Sequence, residues 1–271
     1  MNTHFFSAGL LLAFFPVTLA AKGKKVFLEK RGILAIEAES TSSSLRKWKK
    51  KTDVADFSGT CHLEFTGNTI MSGPPNSALK YHFKIKKPGV YRLILRARKR
   101  LENSRADLSN DCYVSVKGDF EAGGKAPLKL LKKDTKIFGG HSQRWGWARQ
   151  LDSNHQKFMP EYAFKSGETY TITLSGRSKN FNLDRFFFVH ESKNLREILT
   201  ENPPESPLDG PQELPRVTRT ITNQDGKTIT AELIEFKEGE LILNFKGRRI
   251  SIDPKTLSEV DQNFIREWAG E

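Results

Sequence analysis

The chain has 271 residues, enough for one large domain or two smaller ones, and its two cysteines exclude more than a single disulfide. Its net charge of +12 is lopsided: residues 22–192 hold 33 Lys and Arg against 17 Asp and Glu, whereas residues 193–271 hold 11 against 15. The basic half suggests an anionic partner, and the plain alternative is a highly charged soluble surface.

Residues 5–20 form an apolar stretch from Phe5 to Phe15, broken by Pro16, and the small residues Ala20 and Ala21 close it. This pattern predicts a secretory signal peptide over residues 1–21, with an uncleaved anchor as the alternative. No Cys follows to carry a lipid, and no later segment is apolar enough to span a bilayer. The chain is therefore expected to be secreted, or, if bacterial, to reach the periplasm or cell envelope.

Residues 22–31 read as a basic leader. From 32 to 191, short alternating segments are separated by Gly, Pro, Asn and Ser turns, which predicts an all-β sandwich. Strands are expected at 33–39, 60–66, 78–86, 90–99, 112–117, 160–165, 168–175 and 183–190, with turns at Lys87-Pro88-Gly89 and Ser166-Gly167. Cys61 and Cys112 both fall in strand-like segments, and the pattern leaves open whether they pair.

In the first strand, alternation sends Leu34, Ile36 and Ala38 one way and Glu37 and Glu39 the other. Two carboxylates on one face repel unless a cation or an arginine lies between them. In the last strand, Asp184 sits between Leu183 and Phe186, where an unpaired buried carboxylate would cost several kcal/mol. A shared hard cation would answer both problems, and ion pairing with Arg185 or another arginine is the alternative. In Tyr91–Arg100, Arg92, Arg96, Arg98 and Arg100 are expected to share the outer face. Such a row, with Arg96 and Arg98 as its ligand-binding candidates, could track carboxylates or sulfates on an acidic polymer. The alternative is a solvated edge that resists strand-to-strand aggregation.

Residues 193–215 carry five prolines and predict a semi-extended linker. Beyond it, strands are expected at 218–222, 227–236, 240–246 and 248–253, with a hairpin turn at Asn223-Gln224-Asp225-Gly226. A helix follows Ser258, with Asp261 in a capping-box position and an apolar stripe of Leu257, Val260, Phe264, Ile265 and Trp268. Residues 216–271 thus read as a small barrel closed by a helix, about the size at which an independent core becomes marginal.

Several stretches together resemble the galactose-binding-like β-sandwich of carbohydrate-binding module families 6 and 35, over nearly all of residues 32–191. They are Ile36-Glu37-Ala38-Glu39, Phe57-Ser58-Gly59-Thr60-Cys61-His62, Pro88-Gly89-Val90-Tyr91, Asn110-Asp111-Cys112-Tyr113, Arg144-Trp145-Gly146-Trp147, Ser166-Gly167-Glu168-Thr169-Tyr170 and Asn182-Leu183-Asp184-Arg185. The resemblance implies a jelly-roll fold and a structural calcium ion held by Glu37, Glu39 and Asp184, an oxygen set suited to that ion. It also implies a glycan site with Trp145 stacking on a sugar ring and Asn182 bonding its hydroxyls. Trp147 is assigned to the core, and Trp48, in the basic run Arg46–Lys51, is a further aromatic candidate. Residues 216–268 resemble the Sla-type homology domain 1, a Src-homology-3-like barrel, through Asp225–Leu233, Gly247–Ile252 and Leu257–Gln262.

No nucleophile elbow, metalloprotease helix or phosphate loop is present, and the six histidines show no ligand spacing. The chain is therefore read as an exported, non-catalytic carbohydrate binder, for an acidic polysaccharide or glycan on the charge argument, with a protein-contact module at residues 216–271. The alternatives are an envelope scaffold without sugar binding and a polysaccharide-active enzyme. Nucleic acid is opposed by the signal peptide and by poor interleaving of aromatic and basic residues.

Overall fold

A computed structural model describes residues 25–209, 216–237 and 239–269. The expected signal peptide and the last part of the expected linker lie outside these residues. The chain runs β1 (Val26–Leu28), β2 (Ile33–Glu37), a 3-10 turn (Ala38–Ser40), β3 (Trp48–Lys51), β4 (His62–Phe65), β5 (Asn76–Lys84), β6 (Gly89–Lys99), β7 (Asp111–Lys117) and β8 (Phe120–Ala122). It continues through α1 (Leu128–Lys132), β9 (Thr135–Gly139), β10 (Gly146–Ser153), β11 (Gln156–Phe158), β12 (Glu161–Phe164), β13 (Thr169–Gly176), β14 (Phe181–His190) and α2 (Leu195–Glu201). A second unit holds β15 (Val217–Thr222), β16 (Thr228–Lys237), β17 (Glu240–Phe245), β18 (Arg248–Ile252) and α3 (Glu259–Ala269).

The first fourteen strands form one curled, almost wholly antiparallel sheet, ordered β1-β5-β13-β7-β9-β10-β6-β14-β4-β3, with β2 on β14 and β12 bridging β6 and β8. It folds over a single core as a jelly-roll sandwich. Tyr81 and Phe83 of β5 meet Phe186 and Phe188 of β14 across that core, with ring centroids 4.9 and 5.0 Å apart. Strict alternation along β14 would bury Phe181, Leu183, Arg185 and Phe187. A bulge opposite Ala97–Arg96 inserts one residue, so that Phe181, Leu183, Phe186 and Phe188 all face the main core. Asp184 and Arg185 are carried away from that core by the same bulge. Beyond it, Phe187 and Val189 face outward onto a smaller apolar cluster with Ala35 and Ile198, joined by Trp147 and Leu195.

Two segments differ from the sequence reading. The basic leader is not loose: β1 pairs in parallel with β5, and the Glu29 carboxylate accepts the backbone N–H groups of Gly32, Lys86 and Lys87. The expected linker is bound to the sandwich as far as residue 209. Asn194 caps α2, whose Ile198 and Leu195 cover Phe187. Thereafter Ser206 exchanges backbone hydrogen bonds with Ala35 through both its N–H and its side chain, and the Pro207 carbonyl accepts from Leu28. Prolines 203, 204 and 207 have no N–H to donate, so the few bonds available come from the residues between and beside them. Cys61 and Cys112 are buried and free, which resolves the open pairing as unpaired.

In the second unit the strands form a meander, β15-β16-β17-β18, as the turn signals predict. Leu233, Leu241, Leu243, Leu257 and Ile265 make its core, with Phe264 and Trp268 packed on it. Val260 does not belong to that stripe: it is 71% exposed. Asp261 does more than cap. Its backbone N–H meets Ser258 Oγ at 3.3 Å, and its carboxylate accepts from the Thr222 N–H, the Ser258 hydroxyl and Arg219, tying the helix to β15. Burial alone would push this carboxyl up; those bonds hold it below the usual range.

Candidate functional site

The outer face of β6 and β14 is divided in two. Over its distal half lies α2; the other half is polar and sits beneath the segments 53–58 and 141–145. The arginine row does share this face, but β6 is an interior strand between β14 and β10, which overturns the edge-strand alternative. Nor is it a free row of charge. Arg92 pairs with Glu161 at 2.9 Å, Arg96 with Asp184 at 2.6 Å, and Arg100 with Asp53 at 2.9 Å and with Glu64. Arg98 differs: its Nε is buried without a hydrogen-bond partner.

Trp145 and Asn182, far apart in the chain, are brought into one cluster. Trp145 is half-buried, its indole N–H donates to the Ala55 carbonyl at 2.9 Å, and the Arg96 guanidinium lies 5.5 Å from its ring centre. Its edge meets the His62 ring, with centroids 5.2 Å apart, and Phe57 approaches His62 from another side at 6.0 Å. Asn182 lies against His62 but is fully buried. Its amide donates to the Asn180 carbonyl at 2.9 Å, while its Oδ1 and both ring nitrogens of His62 have no hydrogen-bond partner. Burial lowers the His62 pKa, and Asp53, 3.7 Å from Nε2, opposes that shift.

Trp48 is corrected. It is 1% exposed, packs on Phe65 and gives its N–H to the Ser77 carbonyl at 2.9 Å, so it is a core side chain and offers no ring to a ligand. It opens β3 pointing inward; Lys49 takes the opposite face in solvent, and Lys50, on Trp48's face, is exposed as well. Trp147 packs with Phe187 in the outer apolar cluster rather than in the main core. His62 was not singled out by sequence reasoning, although a signal was available: in His62-Leu63-Glu64-Phe65, a period of two puts His62 and Glu64 on the face opposite Leu63 and Phe65.

Glu37, Glu39 and Asp184 converge on the loop 58–61. Glu39 lies in the 3-10 turn after β2, so it reaches the loop by that turn and not by strand alternation. Glu37 Oε2 accepts the Ser58 hydroxyl at 2.8 Å, and Oε1 ion-pairs with Arg185 Nη2 at 3.2 Å. Asp184 accepts the Ser58 N–H at 2.9 Å, the Ser58 hydroxyl at 3.1 Å and Arg96 at 2.6 Å. Glu39 Oε1 accepts the Thr60 N–H at 2.7 Å, its hydroxyl and the Cys61 N–H, leaving Oε2 buried without a partner. Burial pushes the Glu37 carboxyl up to about 7, against the pull of Arg185 and Ser58, and also raises Asp184 against the pull of Arg96. The three carboxylates do not fit a calcium ion as they stand. Two guanidinium cations already lie against them, and among the described residues no group of three or more His, Cys, Asp or Glu side chains is placed to hold a metal. Ion pairing with arginine, the alternative open in the sequence, is the arrangement present.

No family model matches the chain, and no curated protein matches it. Among solved structures, it is similar to a Podospora anserina GH26-CBM35 β-(1,4)-mannanase, with a TM-score of 0.41, 9% identity, and coverage of 70% of this chain and 32% of that one. It is also similar to a CBM35 from Paenibacillus barcinonensis (TM-score 0.35, 18% identity, 58% of this chain and 98% of that one). A third is the C-terminal CBM6 of a marine laminarinase from Zobellia galactanivorans (TM-score 0.32, 18% identity, 58% and 98%). The chain spans a third or less of the length of the first three enzymes it matches, at 32%, 19% and 23%.

Proposed function

We propose that residues 25–209 are an exported, non-catalytic carbohydrate-binding sandwich whose contact surface is the polar half-face around Trp145. The observation that carries this reading is a half-buried indole, fixed through its own N–H, on a polar face that also holds the partly exposed Arg98 and the exposed Asp53. A sugar offers C–H groups to an aromatic face and hydroxyls to donors and acceptors, which is the pair of demands such a surface meets. In this arrangement the sugar stacks on the exposed part of Trp145, and Arg98 and Asp53 meet its hydroxyls. Asn182 and His62 lie beneath and set the position of the ring. The nearby acids are committed to arginines, Asp184 to Arg96 and Asp53 to Arg100, so none stands free as a paired general acid and base.

Retention of the full chain by a panel of neutral and acidic polysaccharides in affinity electrophoresis tests the reading. Trp145→Ala is expected to weaken retention at least tenfold, roughly the worth of an aromatic contact together with its buried area, while the melting midpoint stays near that of the parent. Retention unchanged by Trp145→Ala, or no retention by any polysaccharide, would remove the sugar surface. The protein would then read as an envelope scaffold acting through residues 216–271.

A further inference from the structure

The carboxylate cluster at Ser58 holds three acids in a largely buried place, and such a cluster needs compensating positive charge. We infer that the chain supplies this charge itself: Arg185 and Arg96 fill the role of a divalent metal, and the sandwich folds without calcium.

Several independent features of the chain converge on this. The β14 bulge turns Arg185 to the side that Asp184 occupies, so one extra residue delivers both an anion and its neighbour's counter-cation. The Arg185 guanidinium is then held on three sides: Glu37 at 3.2 Å, the Asn202 side-chain carbonyl at 2.9 Å from the end of α2, and the Phe187 ring with its centre 4.8 Å away. Arg185 is 1% exposed: its Nη1 donates to Asn202, its Nη2 lies within ion-pair distance of Glu37 Oε1 without a hydrogen bond, and its Nε has no hydrogen-bond partner among the described residues. Arg96 closes the other side on Asp184. Between them lies the Ser58 hydroxyl, 2.8 Å from Glu37 Oε2 and 3.1 Å from Asp184 Oδ2, with one proton to give to either acid. Five of the six carboxylate oxygens already have partners, and Glu39 Oε2 alone has none. The loop is also closed down on them: a Cβ built on Gly59, where φ is +67°, would lie 2.4 Å from Glu39 Oε1 and 3.1 Å from Glu37 Cγ.

The test is thermal melting of the full chain with EDTA and with millimolar calcium chloride, together with terbium luminescence excited through tryptophan. Trp145 lies over Arg96, next to the cluster, and is a built-in sensitiser. The expected result is no calcium-dependent shift, and no terbium signal that Glu39→Gln removes. A filled site at a hundred times its Kd would raise the midpoint by roughly 5–10 °C; such a rise, reversed by EDTA and abolished by Glu39→Gln, overturns the inference. Arg185→Met should lower the midpoint, and adding Glu37→Gln to it should restore part of the loss. An Arg185→Met protein as stable as the parent also overturns it. Should Arg185→Met fail to fold, the paired Arg185→Met, Glu37→Gln protein decides, since its folding supports the built-in cation and its failure refutes it.

Discussion

The His62 ring is enclosed by Trp145, Phe57 and Asn182, and burial disfavours its cation more than Asp53 at 3.7 Å favours it. Glu64 acts with Asp53, and Arg100 acts against them. The folded pKa is therefore below the ordinary imidazole value, and as pH falls below about 6.5 the unfolded chain takes up this proton first. The contribution of His62 is full above that value and is lost as pH falls through the folded pKa. In urea unfolding at neutral and mildly acidic pH, the parent should lose more stability than a His62→Asn protein over this window. Equal losses would place the titration elsewhere. At this scale the sequence made legible which side chains share a face, since alternation puts Arg92, Arg96, Arg98 and Arg100 together, whereas His62 was passed over. It did not reveal which acid each arginine takes, because Asp53, Asp184 and Glu161 reach β6 from three different segments.

Strands with clear alternation or dense apolar content, β5, β6, β13 and β14, lie where the sequence reading expects them, and so do all four strands of the second unit. What escaped it has physical causes. The β14 bulge leaves no mark in composition, yet it decides that Phe186 rather than Phe187 enters the core. The run of prolines reads as a spacer because proline cannot continue a ladder, but the docking of residues 194–209 rests on Ile198, Ser206 and Glu205, whose partners lie on β14, β2 and the turn after β2. This docking has a measurable consequence. A fragment ending at residue 192 lacks the cover over Phe187, Val189 and Ala35 and leaves Arg185 without Asn202, whereas a fragment ending at 209 keeps both. The shorter fragment should be less stable by roughly 3–6 kcal/mol, the worth of exposing two or so large apolar side chains, and more prone to aggregate. Equal denaturation midpoints for the two fragments would mean that α2 is an ornament on the sandwich.

Across the whole molecule, the uneven charge first suggests that electrostatics governs binding, since residues 22–192 carry a net +16. The arrangement of those charges argues otherwise for the face around Trp145. Arg92, Arg96 and Arg100 are each paired with an acid, and Arg98 is the one of these four with a buried nitrogen, Nε, that has no hydrogen-bond partner among the described residues. Much of the remaining excess lies on separate surfaces such as Lys49 and Lys50 of β3, where it aids solubility and steers anions without shaping a site. If Trp145 carries recognition, a bound glycan should be retained almost equally in low and high salt, because stacking and hydrogen bonds to hydroxyls are not screened. If the arginines and lysines carry it, retention should fall steeply as the screening length shrinks from about 10 Å at 0.1 M to about 3 Å at 1 M salt. Retention measured across that range, on a neutral and an acidic polysaccharide side by side, separates the two. A salt-resistant interaction with the neutral polymer assigns the site to the indole. Binding confined to the acidic polymer and abolished by salt assigns it to the basic surface and leaves Trp145 as packing over His62.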